Sequence, residues 1–347
     1  MSGNPFEQQR RLADGTAVAE LARGVVAVAG PDRLSWLDSM TSQSIAGLRP
    51  GESAETLVLD PHGHIEYALR VVDDGATTWL TVDPASAAPL AGWLDRMRFM
   101  LRVEVADRSA EFVALGFVRG RYAEEGALRG LAAAVWEDPW DAVQPGGWQY
   151  ASGSHPAADW AWSEAIVAHD RGAALDALVP PADRVAESAF TALRIAAWRP
   201  DRATEVDERT IPHELDWLRS AVHLEKGCYR GQETVAKVHN LGHPPRRLVA
   251  LHLDGSDSVY AAPGDPVRLA AGEAETAPIG VVTSAAVHYE LGPIALAVVK
   301  RAADPAAELV VEHEGVRLAA AQEIIVPPSA GATAEVPRIP RLGAVRR

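Results

Sequence analysis

The sequence predicts an α+β protein with a small all-β unit behind it, and three observations carry that prediction. Before residue 118, strand candidates flank one long amphipathic helix pattern, the order expected of helices packed on one face of an antiparallel sheet. Between residues 162 and 198 a strand candidate is followed by two helix candidates. From residue 246 onward short apolar runs are separated by Gly and Pro, with no long helix among them, which reads as a small barrel or sandwich. A chain of 347 residues exceeds one typical core, so two or three domains are expected.

Residues 24–29 read as a buried strand, and Gly30-Pro31 turns it into a helix reaching about Met40, with Leu34, Leu37 and Met40 three apart. Residues 55–60, 65–72 and 77–82 are strands, broken by Pro61-His62-Gly63-His64 and by Asp73-Asp74-Gly75. Residues 85–100 form a helix with Leu90, Trp93, Leu94 and Met97 on its inner face. Residues 101–105 and 112–117 return to strand character. From 120 to 159 the pattern is weak. Residues 162–169 read as a strand, 172–178 and 184–198 as helices, the second ending before Pro200. Six further strands are expected at 246–253, 267–270, 279–287, 294–300, 309–312 and 316–320.

The formal net charge of −14 opposes broad binding to nucleic acid or to an anionic membrane. Apolar runs such as 294–299 are too short to span a bilayer. Residues 1–11 are polar and lack an apolar h-region, so no signal peptide is expected and a cytoplasmic location is. The single cysteine excludes an intramolecular disulfide and any multi-cysteine metal or cluster site within one chain. Lys226, Arg230, His243, Arg246 and Arg247 form the densest basic stretch mid-chain and suit a small anionic ligand.

That cysteine lies in Lys226-Gly227-Cys228-Tyr229-Arg230-Gly231-Gln232-Glu233. Two cations flank the thiol, and cations and helix N-terminal amides favour the reactive thiolate. Gly227 and Gly231 permit backbone angles that a β-carbon forbids. Residues 221–225 alternate like a half-buried strand and residues 232–238 suit a short helix, so the thiol is expected in a strand–loop–helix connection. The competing reading is a cysteine buried as a small hydrophobe. His62 and His64 with Asp60, and His239 with His243, have spacings a metal tolerates, but turn chemistry explains them better and no metal site is expected. Neither a G-x-S-x-G elbow nor a Walker-type glycine loop is present. Of ten tryptophans, Trp160, Trp162, Trp198 and Trp217 are the candidates to stack on a flat ring.

The K-G-C-Y-R-G-Q-E string resembles the signature of the YgfZ family, folate-binding relatives of the glycine-cleavage T-protein (aminomethyltransferase) linked to iron–sulfur cluster maintenance. Gly30-Pro31-Asp32-Arg33, Pro50-Gly51, Gly280 to Ser284 and Leu291 to Ala297 extend the likeness. It implies a three-subdomain ring around a central channel: two intertwined α+β subdomains in residues 1–245, the inner one about 50–118, then a β-barrel at 246–326. Composition adds a flexible tail at 327–347. The resemblance implies binding of tetrahydrofolate, or a one-carbon-substituted form, and a role in iron–sulfur cluster assembly or repair. The partners it implies are iron–sulfur client enzymes, among them radical enzymes that modify tRNA.

On that resemblance Cys228 and Lys226 are the catalytic candidates. Arg194, Glu66, Trp198, Tyr229, Arg230, Gly231, Gln232 and Glu233 are the folate-binding ones. Two departures stand out. Ala196 and Trp198 replace the glutamate and glycine of the T-protein helix, and Gly63-His64-Ile65-Glu66-Tyr67 stands where the T-protein has an Asp pair. Tyr67 is no carboxylate near neutral pH. A folate-dependent aminomethyltransferase or demethylase acting on a methylamine-type substrate is therefore the second reading, and a non-catalytic protein-binding scaffold the third.

Overall fold

The computed structural model describes residues 3–123, 127–271 and 277–334. Helix α1 (Pro5–Ala13) lies in a segment whose sequence reads only as polar. The Asn4 side chain caps it, accepting from Phe6 N at 3.0 Å, and it buries Gln9 and Leu12. Strands β1 (Val18–Leu21) and β2 (Gly24–Ala29) follow in quick succession but enter different sheets. Helix α2 (Arg33–Met40) leads to a meander of β3 (Ser53–Leu59), β4 (Ile65–Asp73) and β5 (Thr77–Val82). Helix α3 (Pro84–Met97) and strand β6 (Glu104–Asp107) complete this unit.

Its sheet is antiparallel in the order β3-β4-β5-β2-β6. The unbroken apolar run of β2 is explained by its central place, where both faces are covered. Val26, Val28, Leu69, Leu80 and Val82 meet Leu37, Leu90 and Leu94 of the two helices in one core.

The second sheet is assembled around the first. It takes β7 (Phe112–Val118), β8 (Ala134–Glu137), with the short helix α4 (Ala127–Leu131) just before it, β9 (Trp162–Ala168) and, after α5 (Gly172–Leu178), the two-residue β10 (Arg184–Val185). The order is β10-β1-β7-β9-β8, with only β1 and β10 parallel. The inner unit is thus 24–107 rather than about 50–118. β2 pairs with both β5 and β6, while β7 crosses to the outer sheet, where Gly116 leaves room for the Trp162 ring. Strand β8 ties the sheets together: Trp136 Nε1 donates to Ala54 O at 2.8 Å. Helix α6 (Glu187–Ala196) packs on α1 and on the barrel, and the single-turn α7 (Arg202–Glu205) follows.

Helix α8 (Gln232–Leu241) precedes the last unit. Strands β11 (Arg246–Leu253), β12 (Pro266–Leu269), β13 (Gly280–His288), β14 (Gly292–Lys300), β15 (Leu309–His313) and β16 (Val316–Ile324) close a barrel in the order β11-β14-β13-β12-β15-β16. Val249, Leu251, Ala295, Ala297, Val311 and Leu318 fill it, and closure leaves no unpaired edge. The composition of 327–347 suggests flexibility, but its first residues are packed. Ala330 is buried, and Thr333 N and Ala334 N donate to His239 O and Asn240 O, carbonyls in the last turn of α8 that need partners. Residues 335–347 lie outside the described residues. Among the described residues no helix is long and apolar enough to cross a membrane.

Candidate functional site

The thiol loop is anchored from below. Ala221 and Val222 are buried, but 221–225 form no strand; His223 N and Leu224 N instead make single bonds to Ser42 O and Gly146 O. Lys226 then turns inward, its side chain 5% exposed. Its Nζ donates to Asp38 O at 2.6 Å, Thr41 O at 2.9 Å and Gln43 O at 2.8 Å, with Asp38 Oδ1 at 3.3 Å. An ammonium carries three protons, and three carbonyls at the C-terminal end of α2 take them. Lys226 is therefore a clamp between the loop and α2, not a partner of the thiol as the sequence suggested. Gln232 Nε2 donates to Lys226 O at 3.0 Å and closes the loop on itself. Tyr229 is also buried. Its ring lies 5.6 Å from Lys226 Nζ, and burial pushes its phenol pKa up. Cys228 stands exposed as a free thiol at the tip, which removes the buried-hydrophobe reading.

The far end of the loop is fixed by two glycines in contact. Gly231, at φ +84°, precedes the first turn of α8, and a Cβ there would lie 2.7 Å from Asp60 O. Gly63, also at φ +84°, faces Thr234 in the same way. The turn they meet on is built by Asp60, whose carboxylate accepts from His62 N and His64 N and pairs with His64 Nδ1 at 2.9 Å. Glu233 is exposed in the first turn of α8.

Arg230 connects this loop to a groove. Its Nη1 donates to Glu66 Oε2 at 2.7 Å, and its guanidinium lies 6.0 Å from the Trp93 ring. Glu66 begins an open groove of about 620 Å³ along α3, lined also by Tyr67, Ser86, Trp93, Arg96 and Arg202. Ala85, Ala88 and Gly92 recur at three- and four-residue spacing on that side of α3, and their small side chains leave the room. Trp93 faces the groove half-buried and Met97 is exposed, so of the four residues expected on the inner face only Leu90 and Leu94 are buried. Arg202 holds the floor: Nε donates to Glu66 O at 2.8 Å and Nη1 to Asp83 Oδ2 at 3.1 Å. Burial and the neighbouring Glu66 charge raise the Tyr67 phenol, so it stays neutral. Glu66 is the only carboxylate among the described residues lining the groove.

Two expected binding residues lie elsewhere. Arg194 is buried and bonds Arg199 O, Glu205 Oε2 and Thr204 Oγ1, and at 2.6 Å Ser284 Oγ, joining α6 and α7 to the barrel. Trp198, at φ +55°, packs edge-on to His155 with ring centroids 5.2 Å apart. Trp160, Trp162 and Trp217 are buried core residues; Trp162 stacks on Phe190 at 4.4 Å. The structure thus puts Glu66 in the groove, pairs Arg230 of the thiol loop with it, and commits Arg194, Lys226 and three tryptophans to the scaffold. Tyr67, Trp93, Arg96 and Arg202 were missed as groove residues; the small-residue spacing of α3 was the available signal.

Where the two sheets meet, buried ion pairs bridge them, and an open cleft of about 670 Å³ runs between Gly51–Ser53 of the inner unit and Phe117, Asp138, Trp160 and Trp162 of the outer one. Arg199 pairs with Glu55 at 2.7 Å and Asp138 at 2.9 Å, and Trp217 Nε1 and Ser220 Oγ also donate to Glu55. Arg70 pairs with Asp201, and both Arg70 and Arg23 face Glu164. Burial alone would raise the Glu164 pKa, but those two guanidiniums hold it down at about 2. The void left beside Glu55, Arg70, Asp201 and Trp217 is about 10 Å³, room for about one water.

Two interleaved α+β units, a closed barrel and a solvent-open groove beside a lone thiol define a class of architecture. Comparison with known proteins gives it a setting. Residues 246–327 match the model of the glycine cleavage T-protein C-terminal barrel domain. The whole chain has the fold of the glycine cleavage system aminomethyltransferase T from Bartonella henselae. That structure aligns with a TM-score of 0.68 over 94% of this chain and 89% of that one, at 18% identity. A chloroplastic protein of Arabidopsis thaliana, At1g60990, named provisionally as a transferase, is 23% identical over 288 residues. That match covers 73% of this chain and 58% of the relative's length.

Proposed function

We propose that this chain binds a reduced folate in the α3 groove and acts, through the exposed thiol beside it, in the assembly or repair of iron–sulfur clusters. Its clients on this reading include iron–sulfur enzymes that modify tRNA, and it works in the reducing cytoplasm, where an exposed thiol persists. The observation that carries the proposal is the Arg230–Glu66 pair, which joins the thiol loop to the groove at 2.7 Å. The groove residues suit the ligand chemically. Trp93 and Tyr67 offer aromatic faces for a pterin, Glu66 a carboxylate for its amide edge, and Arg96 and Arg202 cations for the carboxylates of its tail. Glu66 and Arg230 are each 35% exposed, so exchanging their pairing for a ligand costs about 0–1 kcal/mol. When bound, a reduced folate supplies a one-carbon acceptor.

The aminomethyltransferase reading has less support, because a neutral phenol, Tyr67, stands where the second acid would be needed. The test is a tetrahydrofolate titration followed by tryptophan fluorescence and calorimetry. Saturable binding is expected, weakened at least tenfold by Glu66→Gln, with most of the fluorescence response lost in Trp93→Phe. Absence of saturable binding to the unaltered protein sinks this reading and the aminomethyltransferase reading together, leaving the scaffold. Full restoration of iron–sulfur enzyme activity in cells by Cys228→Ser removes the thiol from the proposal.

A further inference from the structure

The largest apolar exposure on the described surface is a finger between α3 and β6. Met97 and Leu101 flank Phe99 and Met100, which are 89% and 96% exposed. A lone exposed Leu or Met is ordinary; four apolar side chains within five residues, two of them almost wholly in water, mark a contact surface. The finger is built rather than loose. Leu101 N donates to Arg98 O at 2.9 Å, Val103 N to Leu101 O at 3.0 Å, and Arg102 clasps Asp32 through Nε and Nη2 at 3.0 and 2.8 Å. Phe99 sits at φ +48°, a left-handed conformation that favours glycine. A turn that would be relaxed with glycine instead carries an aromatic ring and holds it outward.

We infer that this finger is the docking element for a protein partner whose contact face is an apolar pocket rimmed by carboxylates. Charge selects that occupant. On a chain of net charge −14, the finger carries Arg96, Arg98 and Arg102; the Arg98–Asp95 pair is exposed and open to exchange, and Arg102 stays 74% exposed while it holds Asp32. An anionic bilayer is disfavoured because it repels the rest of the chain. A second copy is disfavoured on symmetry. Two arginine-bearing fingers meeting across a two-fold axis place like charges together, and a finger entering another part of a copy makes a head-to-tail contact that must continue into a ring or a filament. Arg96 belongs to both the finger and the groove, so a docked partner sits at the groove's end. That the partner is the iron–sulfur client rests on the function proposed above; that the finger docks a protein does not.

The test replaces Met100 with photoreactive p-benzoylphenylalanine in the full chain in living cells, with the same replacement at exposed Leu291 on the barrel as control. Expected is one dominant protein adduct from position 100, identified by mass spectrometry and absent from the control. The purified partner should then bind at least tenfold more weakly to Phe99→Gly. That variant removes the ring and suits the backbone, so its thermal midpoint should match that of the unaltered protein. Tetrahydrofolate titration of Phe99→Gly should also be unchanged, which separates the finger from the folate reading. No protein adduct, an adduct of two copies, a lipid adduct, or partner affinity indifferent to Phe99→Gly overturns the inference.

Discussion

Replacing Lys226 with methionine separates two roles that the sequence alone cannot. Methionine keeps most of the buried stem and removes only the ammonium. Asp38 O, Thr41 O and Gln43 O, 2.6–2.9 Å from Nζ, then lose their donor. A buried acceptor left unmatched costs about 1–3 kcal/mol. Three of them would cost about 3–9 kcal/mol in isolation, but removing a buried ammonium returns part of its desolvation cost. The expected net loss is about 3 kcal/mol. Lys226→Arg should recover no more than half of it, because a planar guanidinium cannot meet three carbonyls converging on one point. Urea unfolding followed by tryptophan fluorescence reads both variants. If Lys226→Met keeps its stability within about 0.5 kcal/mol yet loses iron–sulfur activity in cells, the clamp is wrong and the ammonium serves the thiol.

Two further outcomes follow from the same geometry. Gly231→Ala should lose about 2–3 kcal/mol in urea, because a Cβ at φ +84° is strained and would sit 2.7 Å from Asp60 O; stability equal to the parent's would mean the loop is not seated on that turn. Asp216 is fully buried, and burial raises its pKa to about 7 against an unfolded value near 3.8. The folded state therefore keeps a proton that the unfolded state has released, so this stabilisation is full below about pH 4 and is lost as pH rises through 7. His155, lowered by burial to about 3, works in the opposite sense, its contribution being lost as pH falls below 6.5. Asp216→Asn should thus remove a downward slope of up to about 4 kcal/mol between pH 4 and 7; an unchanged slope in urea unfolding refutes the assignment.

Long elements were legible because their patterns are local. Residues 24–29, 77–82 and 172–178 stand as β2, β5 and α5 with the bounds read from the sequence. Failures came where tertiary partners decide. β1, β8 and β10 are too short for a period to show, and Arg184 and Val185 were absorbed into a helix because only β1, far away in sequence, makes them a strand. Residues 221–225 alternate like a strand yet find no ladder. At the site, the glycines and charges around Cys228 fixed which loop matters, since their chemistry is local. Which cation turns inward is not local. Lys226 and Arg230 are equally placed in sequence, and only the position of α2 beneath the loop buries the first and leaves the second to Glu66.

The nesting of one sheet inside the other sets an order of events on the ribosome. Once Asp107 has emerged, β2 to β6 hold every strand of their own sheet. β1, made before any of them, still has neither neighbour: β7 begins at Phe112 and β10 at Arg184. A finished inner unit therefore waits on an orphan strand, one edge of which β7 can cover within about a dozen residues while the other stays open until some eighty residues more are translated, and slow translation across 112–185 prolongs the interval in which that edge can pair with a stranger.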